Sequence, residues 1–592
     1  METVSGKENR RSDTGPGSAL AAQAPEPRWL TVETAAYIAI ALAALLVRLA
    51  ALGRWPLLNE ELQTALAAWR GVQGDAWRPA FYVPLLYDVQ LLLFGLTRAG
   101  DGAARLLPAL AGTGLVILPW AARDLLGRRG ALCAALLLAL APTWVFLSRT
   151  ADGAILAAAC GAVLLLAGWR HAHDRRPWQL TAGAVALATG LTAGPQFYTY
   201  LLVAVGCAVY LWQRARTGTD ENRSEDDALP VGWSLWRAPA LQAVGLFVFL
   251  ATGYLTNVGG IGASVGLLGR WLANLAPGYS GLSWLAYPRM LWGYEFLTLA
   301  LAAVGLGVGL YQRERIDAAL GIWVALALVL GTVLGHRQPG WALDALLPLV
   351  LLAARGLEQL WGLLMPDATR TDLVALVAAT PFLVFAFLQV ASYTHTGEEP
   401  YLQYALITVG ILALGWCAYW IWGDGVAALR VGAGLVLLVM LVFSTRVTTA
   451  VAYQTARDPR EGLVYKPTSV QVRDLLDLVA QTSSRQSGDP RMIDLRYDPS
   501  LEPWLAWYLR DYPKASVASI DFGAAPREAL ITPLLSDQDW PAGYAGQRFR
   551  LIEEFPAQPL TRRERLLWRV YREPVGAIKP TEVVFWLQLA AQ

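Results

Sequence analysis

The sequence predicts a polytopic α-helical membrane protein with a C-terminal soluble domain of α/β or α+β type. Hydrophobic residues make up 55% of the 592 residues, charged residues only 16%, and the mean hydropathy is +0.39. Soluble globular proteins carry about 25% charged residues. Apolar runs recur from residue 30 to residue 447, most of them near the ~20 residues needed to cross a hydrocarbon layer. Beyond that point no such run occurs, and charge and turn residues return.

Residues 1–29 are Gly, Ser, Pro, Ala and charge, too polar to bury a core, and read as a disordered cytoplasmic tail. The run 30–52 is the first span, with no small-residue cleavage site after it. Further runs lie at 103–122, 131–147, 154–169, 180–192, 197–212 and 238–255. A second series follows at 290–311, 318–334, 342–364, 373–392, 402–422 and 426–447. Together they make about 13 transmembrane helices. The loops 123–129, 170–176, 213–237 and 312–315 are the basic ones, so the positive-inside rule makes them cytoplasmic. They alternate correctly only if the apolar stretch 81–96 does not cross, and belongs instead to an outer juxtamembrane segment, 53–102. The N-terminus is then cytoplasmic. The outer face of the plasma membrane collects Asn59-Glu60-Glu61, the 148–153 loop, the 259–288 loop and residues 336–341.

An odd number of spans places residues 448–592 outside the cell. The amphipathic stretch 470–480 reads as a helix and 491–497, 515–520 and 528–532 as short strands. The aromatic string 502–510 suits a domain core, a sugar platform or a membrane interface.

A net charge of +2 suggests no nucleic-acid partner, because in a membrane protein the placement of Lys and Arg matters more than their sum. The four cysteines lie inside apolar runs without metal-like spacing. No cofactor motif is present. Adjacent Glu60 and Glu61 offer oxygen ligands to a divalent cation but form no coordination motif by themselves.

The chemistry-bearing pieces fall in a fixed order: the first span; the acidic pair; Tyr82-Val83-Pro84-Leu85-Leu86-Tyr87; Ala104-Arg105-Leu106-Leu107-Pro108; Leu126-Gly127-Arg128-Arg129; and Ala141-Pro142-Thr143-Trp144 through Ser148-Arg149. Gly293-Tyr294-Glu295, His336-Arg337-Gln338-Pro339-Gly340-Trp341 and Leu347-Pro348-Leu349 follow. In this order they resemble the GT-C superfamily of membrane glycosyltransferases, which includes protein O-mannosyltransferases and aminoarabinose transferases. The nearest resemblance is to a prokaryotic branch of flippase-activity-associated proteins. It implies a GT-C bundle with an outward soluble module. It also implies transfer of a sugar from a polyprenyl-phosphate carrier to an acceptor hydroxyl of a glycan, lipid or protein, at the outer face of the bilayer.

Such a reaction needs a carboxylate base near the acceptor hydroxyl and cationic donors at the departing phosphate. The resemblance gives the base to Glu60, with Glu61 as the fallback. Arg105, Arg149 and Arg337 are the phosphate candidates, since guanidinium binds phosphate bidentately. Glu295 stands out because an ionisable residue at the head of a span is costly unless paired or functional.

The chain also departs from the family pattern. Asn59 stands where an Asp is typical, and an amide accepts no proton from a hydroxyl. Tyr82-Val83-Pro84 replaces a His-Gly-Pro step, and Asp152 replaces the second Arg of an Arg-x-x-Arg step. His336 replaces an acid, Gly340 an aromatic and Asp344 a His. A rewired site would use Asp152 in acid-base work, with Asn59, Tyr82, His336 and Asp344 binding substrate. The alternative is a catalytically degenerate accessory or lipid-sugar-binding protein. Without visible repeated halves, a transporter is the weaker reading.

Overall fold

A computed structural model describes residues 31–75, 82–216, 233–276, 280–333, 335–520, 529–534, 543–556 and 560–588. The expected tail 1–29 and most of the basic loop 213–237 lie outside them.

Helix α1 (Val32–Leu49) opens at Thr31, whose hydroxyl accepts from the Thr34 N–H at 3.1 Å. Helices α2 (Asn59–Val72) and α3 (Pro84–Leu96) then pack on each other. The 13 residues of α3 extend only ~20 Å, too short to cross a bilayer. A short turn of helix, α4 (Asp101–Ala104), leads into α5 (Leu106–Ala121), and another, α6 (Arg123–Leu126), into α7 (Arg128–Leu140).

The expected span 131–147 is broken. Helix α8 (Pro142–Ser148) departs from α7 at 57°, because Pro142 has no N–H and its ring clashes with a continuing helix. Helices α9 (Ala154–Asp174), α10 (Pro177–Ala193), α11 (Phe197–Arg216) and α12 (Trp233–Ala251) follow. The connection 259–288 is not a plain loop, since it contains helix α13 (Gly260–Asn274).

The expected span 290–311 is broken as well, with α14 (Ala286–Tyr294) meeting α15 (Phe296–Tyr311) at 97° around Glu295. The two breaks are joined: Glu295 Oε1 accepts from the Thr143 N–H at 2.9 Å, satisfying a free donor at the start of α8, and Oε2 accepts from the Thr298 hydroxyl at 3.1 Å. Helix α16 (Arg315–Val333) leads to a parallel pairing of β1 (Ser280–Gly281) with β2 (His336–Arg337), and then to α17 (Leu343–Leu364), α18 (Arg370–Thr396), α19 (Glu399–Trp422) and α20 (Gly425–Thr449).

Among the described residues seven helices are long and apolar enough to cross a membrane, or nine with each bent pair taken as one span. The other expected crossings fall on α5, α10, α11 and α12. The apolar window of α17 is 83% buried and that of α18 only 6%. Helix α17 is therefore central, and α18 offers its apolar surface to lipid.

The C-terminal domain packs α21 (Gln471–Ser487) against a five-stranded sheet of order β4-β3-β5-β7-β6. The expected strands appear as β3 (Leu495–Tyr497), β4 (Ala515–Val517) and β5 (Ala529–Pro533), with β3 parallel to both β4 and β5. Two longer antiparallel strands, β6 (Tyr544–Glu554) and β7 (Lys579–Gln588), complete the sheet.

The aromatic string divides its work between core and docking. Trp507 is buried, its ring centroid lies 5.7 Å from that of Phe94 in α3, and its Nε1 donates to Asp101 at 2.9 Å. The Tyr508 hydroxyl accepts from the Leu57 N–H at 2.8 Å, two residues before α2. Ion pairs Arg70–Glu502 (3.0 Å), Arg98–Asp511 (2.8 Å) and Arg473–Asp101 (3.3 Å) ring this contact. These three pairs are partly solvated, and such pairs are worth about 0–1 kcal/mol each.

Candidate active site

Glu60 and Glu61 are neighbours in sequence, but a helix turns ~100° per residue, so their side chains leave α2 in different directions. Glu61 points inward and is fully buried. Its N-cap residue, Leu58, has no polar side chain, so the Glu61 carboxylate reaches back and accepts from the Leu58 N–H at 2.6 Å. Arg105 grips it bidentately, Nε at 2.8 Å and Nη2 at 2.7 Å, and Arg457 Nη2 and the Ala151 N–H complete the shell. Burial alone would raise its pKa; the Arg105 guanidinium and Arg457 outweigh that and hold it below the usual carboxylate range.

All five N–H donors of Arg105 are used, two on Glu61 and three on the carbonyls of Leu52, Trp55 and Pro56. The structure therefore places Arg105 as a clamp on the turn between α1 and α2, with no donor left for a phosphate. Glu61 likewise has its oxygens engaged.

Glu60 faces the other way. It is open to solvent on one side and surrounded by protein groups on the rest. Gln338 Nε2 donates to it at 2.8 Å. Asp152 and Arg270 are near enough to act on its charge. Desolvation, with Asp152 and Glu61, pushes the Glu60 carboxyl up to about 8, against the opposing pull of Arg270 and Gln338. Asp152, on the turn before α9, accepts from the Gly153 N–H at 2.6 Å, and burial raises its carboxyl too. Arg270, on α13, is lowered to about 10 by desolvation, with Asp152 and Glu60 opposing.

The Gln338-Pro339-Gly340 segment closes over these groups. A Cβ built on Gly340 would lie 2.7 Å from the Ala154 Cβ, 3.1 Å from Asp152 Oδ2 and 3.3 Å from Gln196 Nε2. The missing side chain lets this segment approach Asp152. Gly340→Ala is expected to cost about 1–3 kcal/mol of stability by overpacking. A thermal unfolding midpoint equal to that of the wild type would refute the close approach.

Most of the remaining candidates make contacts of their own. Arg149 Nη1 donates to the carbonyls of Val47, Arg48 and Ala50 at 2.8–2.9 Å, closing the end of α1, and its guanidinium lies 4.5 Å from the Tyr453 ring centroid. Arg337 donates to the carbonyls of Thr332 (2.8 Å) and Leu282 (3.3 Å). Glu295 joins the two helix breaks. Tyr82 packs on Tyr87 with centroids 5.1 Å apart and brings its hydroxyl beside Gly260 of α13. Asn59 is the half-buried first residue of α2. The His336 backbone pairs with Ser280, while its side chain lies outside the described residues. Asp344, at the head of α17, is buried beside Thr199 and Tyr200, and its Oδ1 has no hydrogen-bond partner among the described residues.

The structure thus gathers Glu60 and Asp152 from the sequence candidates and adds Arg270, Gln338 and Gln196. Gln338 lies inside a motif that the sequence displays. Arg270 has only a weak signal, a lone Arg on an otherwise apolar helix. Among the described residues no group of three or more His, Cys, Asp or Glu is placed to hold a metal ion.

Comparison with known proteins addresses the fold. The family described as dolichyl-phosphate-mannose-protein mannosyltransferase matches residues 98–257. No curated protein sequence matches the chain. Among solved structures, ArnT from Cupriavidus metallidurans in the apo state is similar at 17% identity and a TM-score of 0.50, covering 86% of this chain and 94% of that one. The same protein bound to undecaprenyl phosphate is similar at 17% identity and a TM-score of 0.51, with 84% and 93% covered. At this identity the likeness is one of fold, and the fold of this multi-pass membrane protein is that of the GT-C membrane glycosyltransferases.

Proposed function

We propose that the protein is a membrane glycosyltransferase that moves a sugar from a polyprenyl-phosphate carrier to an acceptor hydroxyl, with Glu60 as general base. The observation that carries this reading is the contrast within the acidic pair. Glu61 is locked by Arg105 and Arg457, while the Glu60 carboxylate opens onto a cleft shared with Asp152, Gln338 and Arg270. In this reading Asn59 removes nothing from the cleft, because Glu60 supplies its carboxylate. The mannosyltransferase family takes its name from a dolichyl-phosphate-linked sugar, and one ArnT structure holds undecaprenyl phosphate; both favour a polyprenyl-phosphate donor.

In the proposed step Glu60 accepts the acceptor hydroxyl's proton as that oxygen bonds to the anomeric carbon. The bond from that carbon to the phosphate oxygen breaks, and the electron pair leaves on the phosphate. Arg270 offsets the growing negative charge, and Gln338 fixes the Glu60 rotamer. Asp152 and Gln196 offer polar groups to sugar hydroxyls. The cleft lies on the face that bears residues 448–592. We assign that face to the outside of the plasma membrane, with residues 30–447 as the transmembrane domain and the N-terminus in the cytoplasm.

The test is sugar transfer in proteoliposomes with a panel of radiolabelled polyprenyl-phosphate sugars. Transfer is expected with at least one donor. Retained donor binding without any transfer would favour the accessory reading instead. A base must be deprotonated to act, so the rate is expected to rise with pH through a limb near 8, the value to which Glu60 is pushed. A rate that stays flat from pH 6 to 9 would remove Glu60 from this role.

A further inference from the structure

Where α20 leaves the apolar bundle, its end meets the C-terminal domain around a cavity of about 150 Å³. The lining includes Arg446 and Gln454 from the end of α20 and the π-helical turn 450–454. Arg569, Tyr571 and Arg572 join them from a second π-helical turn, Leu567–Tyr571, and the residue after it. Among the described residues no Asp or Glu lines this cavity. Three guanidinium groups, a phenol and an amide surround a space large enough for a phosphate group.

The positive charge there is only partly matched. Glu461 sits 2.9 Å from Arg572 Nε, and Arg572 Nη1 donates to the carbonyls of Trp568 and Arg569, each at 3.1 Å. Arg572 Nη2 and the Tyr571 hydroxyl are buried with no hydrogen-bond partner among the described residues. A buried donor without a partner is costly, by about 1–3 kcal/mol, more when charged, so an anion that accepts from these groups would remove that cost. Arg446 is held by aromatic faces rather than a carboxylate, 5.5 Å from the Tyr571 centroid and 5.7 Å from that of Phe387.

The surroundings point to the source of the phosphate. Phe382, Phe385 and Phe387 of α18 and Val436, Val439 and Val442 of α20 are exposed, on helices whose apolar surface faces lipid. Arg563 Nη2 donates to the Thr394 carbonyl at 3.3 Å, so the end of α18 and the C-terminal domain meet at the same level. A lipid lying along α18 and α20 would bring its head group to the three arginines.

From this arrangement we infer a binding site for the phosphate of an anionic membrane lipid, framed by Arg446, Arg569 and Arg572. None of its lining residues belongs to the Glu60 cleft, and the site does not depend on the proposed transferase activity.

The full-length protein in detergent, titrated with phosphatidylglycerol or phosphatidylcholine and read by native mass spectrometry, tests this. The wild type should retain phosphatidylglycerol in preference. Arg446→Gln and Arg569→Gln should each weaken that binding about fivefold, the factor for one cationic residue at a membrane surface, and leave phosphatidylcholine unchanged. Arg569 is exposed, so its variant carries the test even if Arg446→Gln lowers the unfolding midpoint. Equal phosphatidylglycerol retention in wild type and Arg569→Gln overturns the lipid as the ligand of this site. A separate arm adds inorganic phosphate alone. Stabilisation by phosphate that is lost in Arg569→Gln, with lipid retention unaltered, assigns the site to free phosphate and overturns the lipid.

Discussion

Glu60→Gln is expected to abolish sugar transfer, by about 10²–10⁴-fold, the usual contribution of a positioned general base, without lowering the thermal unfolding midpoint. Gln keeps the shape and the contact with Gln338, but its amide takes no proton. Stability should hold because the native environment opposes the Glu60 charge: desolvation, Asp152 and Glu61 all disfavour it. A neutral side chain escapes that opposition. Linkage gives the same sign. A carboxyl raised to about 8 when folded binds more protons in the native state, so its effect on stability worsens as pH climbs from the ordinary Glu range toward 8. Glu60→Gln removes that dependence, and its advantage over the wild type should grow across this window. Transfer that persists in Glu60→Gln would show that another group is the base, and Asp152→Asn is then the variant to compare.

Glu61→Gln should do the reverse, unfolding the site rather than disarming it. The substitution leaves Arg105 and Arg457 buried with one carboxylate fewer between them. Breaking a buried ion pair from one side costs about 3–5 kcal/mol. The depressed Glu61 pKa has the opposite linkage sign to that of Glu60: its stabilisation is present above the unfolded Glu pKa and is lost as pH falls through the lower folded value. Two adjacent glutamates would thus give opposite signatures, one lost rate with an intact midpoint, the other a fallen midpoint. Replacing Glu61 and Arg105 together by Leu should recover only part of the loss, because Arg457 stays buried. An unfolding midpoint for Glu61→Gln matching the wild type would contradict the buried clamp.

Much of the fold is legible in the sequence because membrane spans are written locally, as length and apolarity. Helix α21 is legible for a similar reason, its apolar positions recurring at helical spacing. The breaks at Pro142 and Glu295 are harder to read. Pro is tolerated inside spans elsewhere in this chain, at Pro239, Pro348 and Pro381, so a proline alone does not announce a bend. The bend at Glu295 is compensated by Thr143, 152 positions away.

Strand β6 carries Gly546, which packs against the Trp586 ring of β7, and its exposed positions break the alternation that marks a strand. The candidate site divides the same way. That an acidic pair follows the first span is plain from sequence. Which member of the pair faces the cleft depends on Arg105 and Arg457, and the latter lies 396 positions beyond Glu61. The sequence shows three arginines near one face, but their carbonyl partners exist only in the folded chain.

The shell around Glu61 also sets a schedule. Its ligands come from residues 58, 105, 151 and 457, and a chain made and inserted from its N-terminus brings them together in that order. Arg457 follows the last apolar helix. Until α20 is in place, the turn before α2 lacks both Arg457, which donates to the Pro56 carbonyl, and Tyr508, which accepts from Leu57. The start of α2, and Glu60 with it, is therefore held firmly only after the whole bundle has been inserted, so a half-made chain carries the acidic pair without a finished cleft around it.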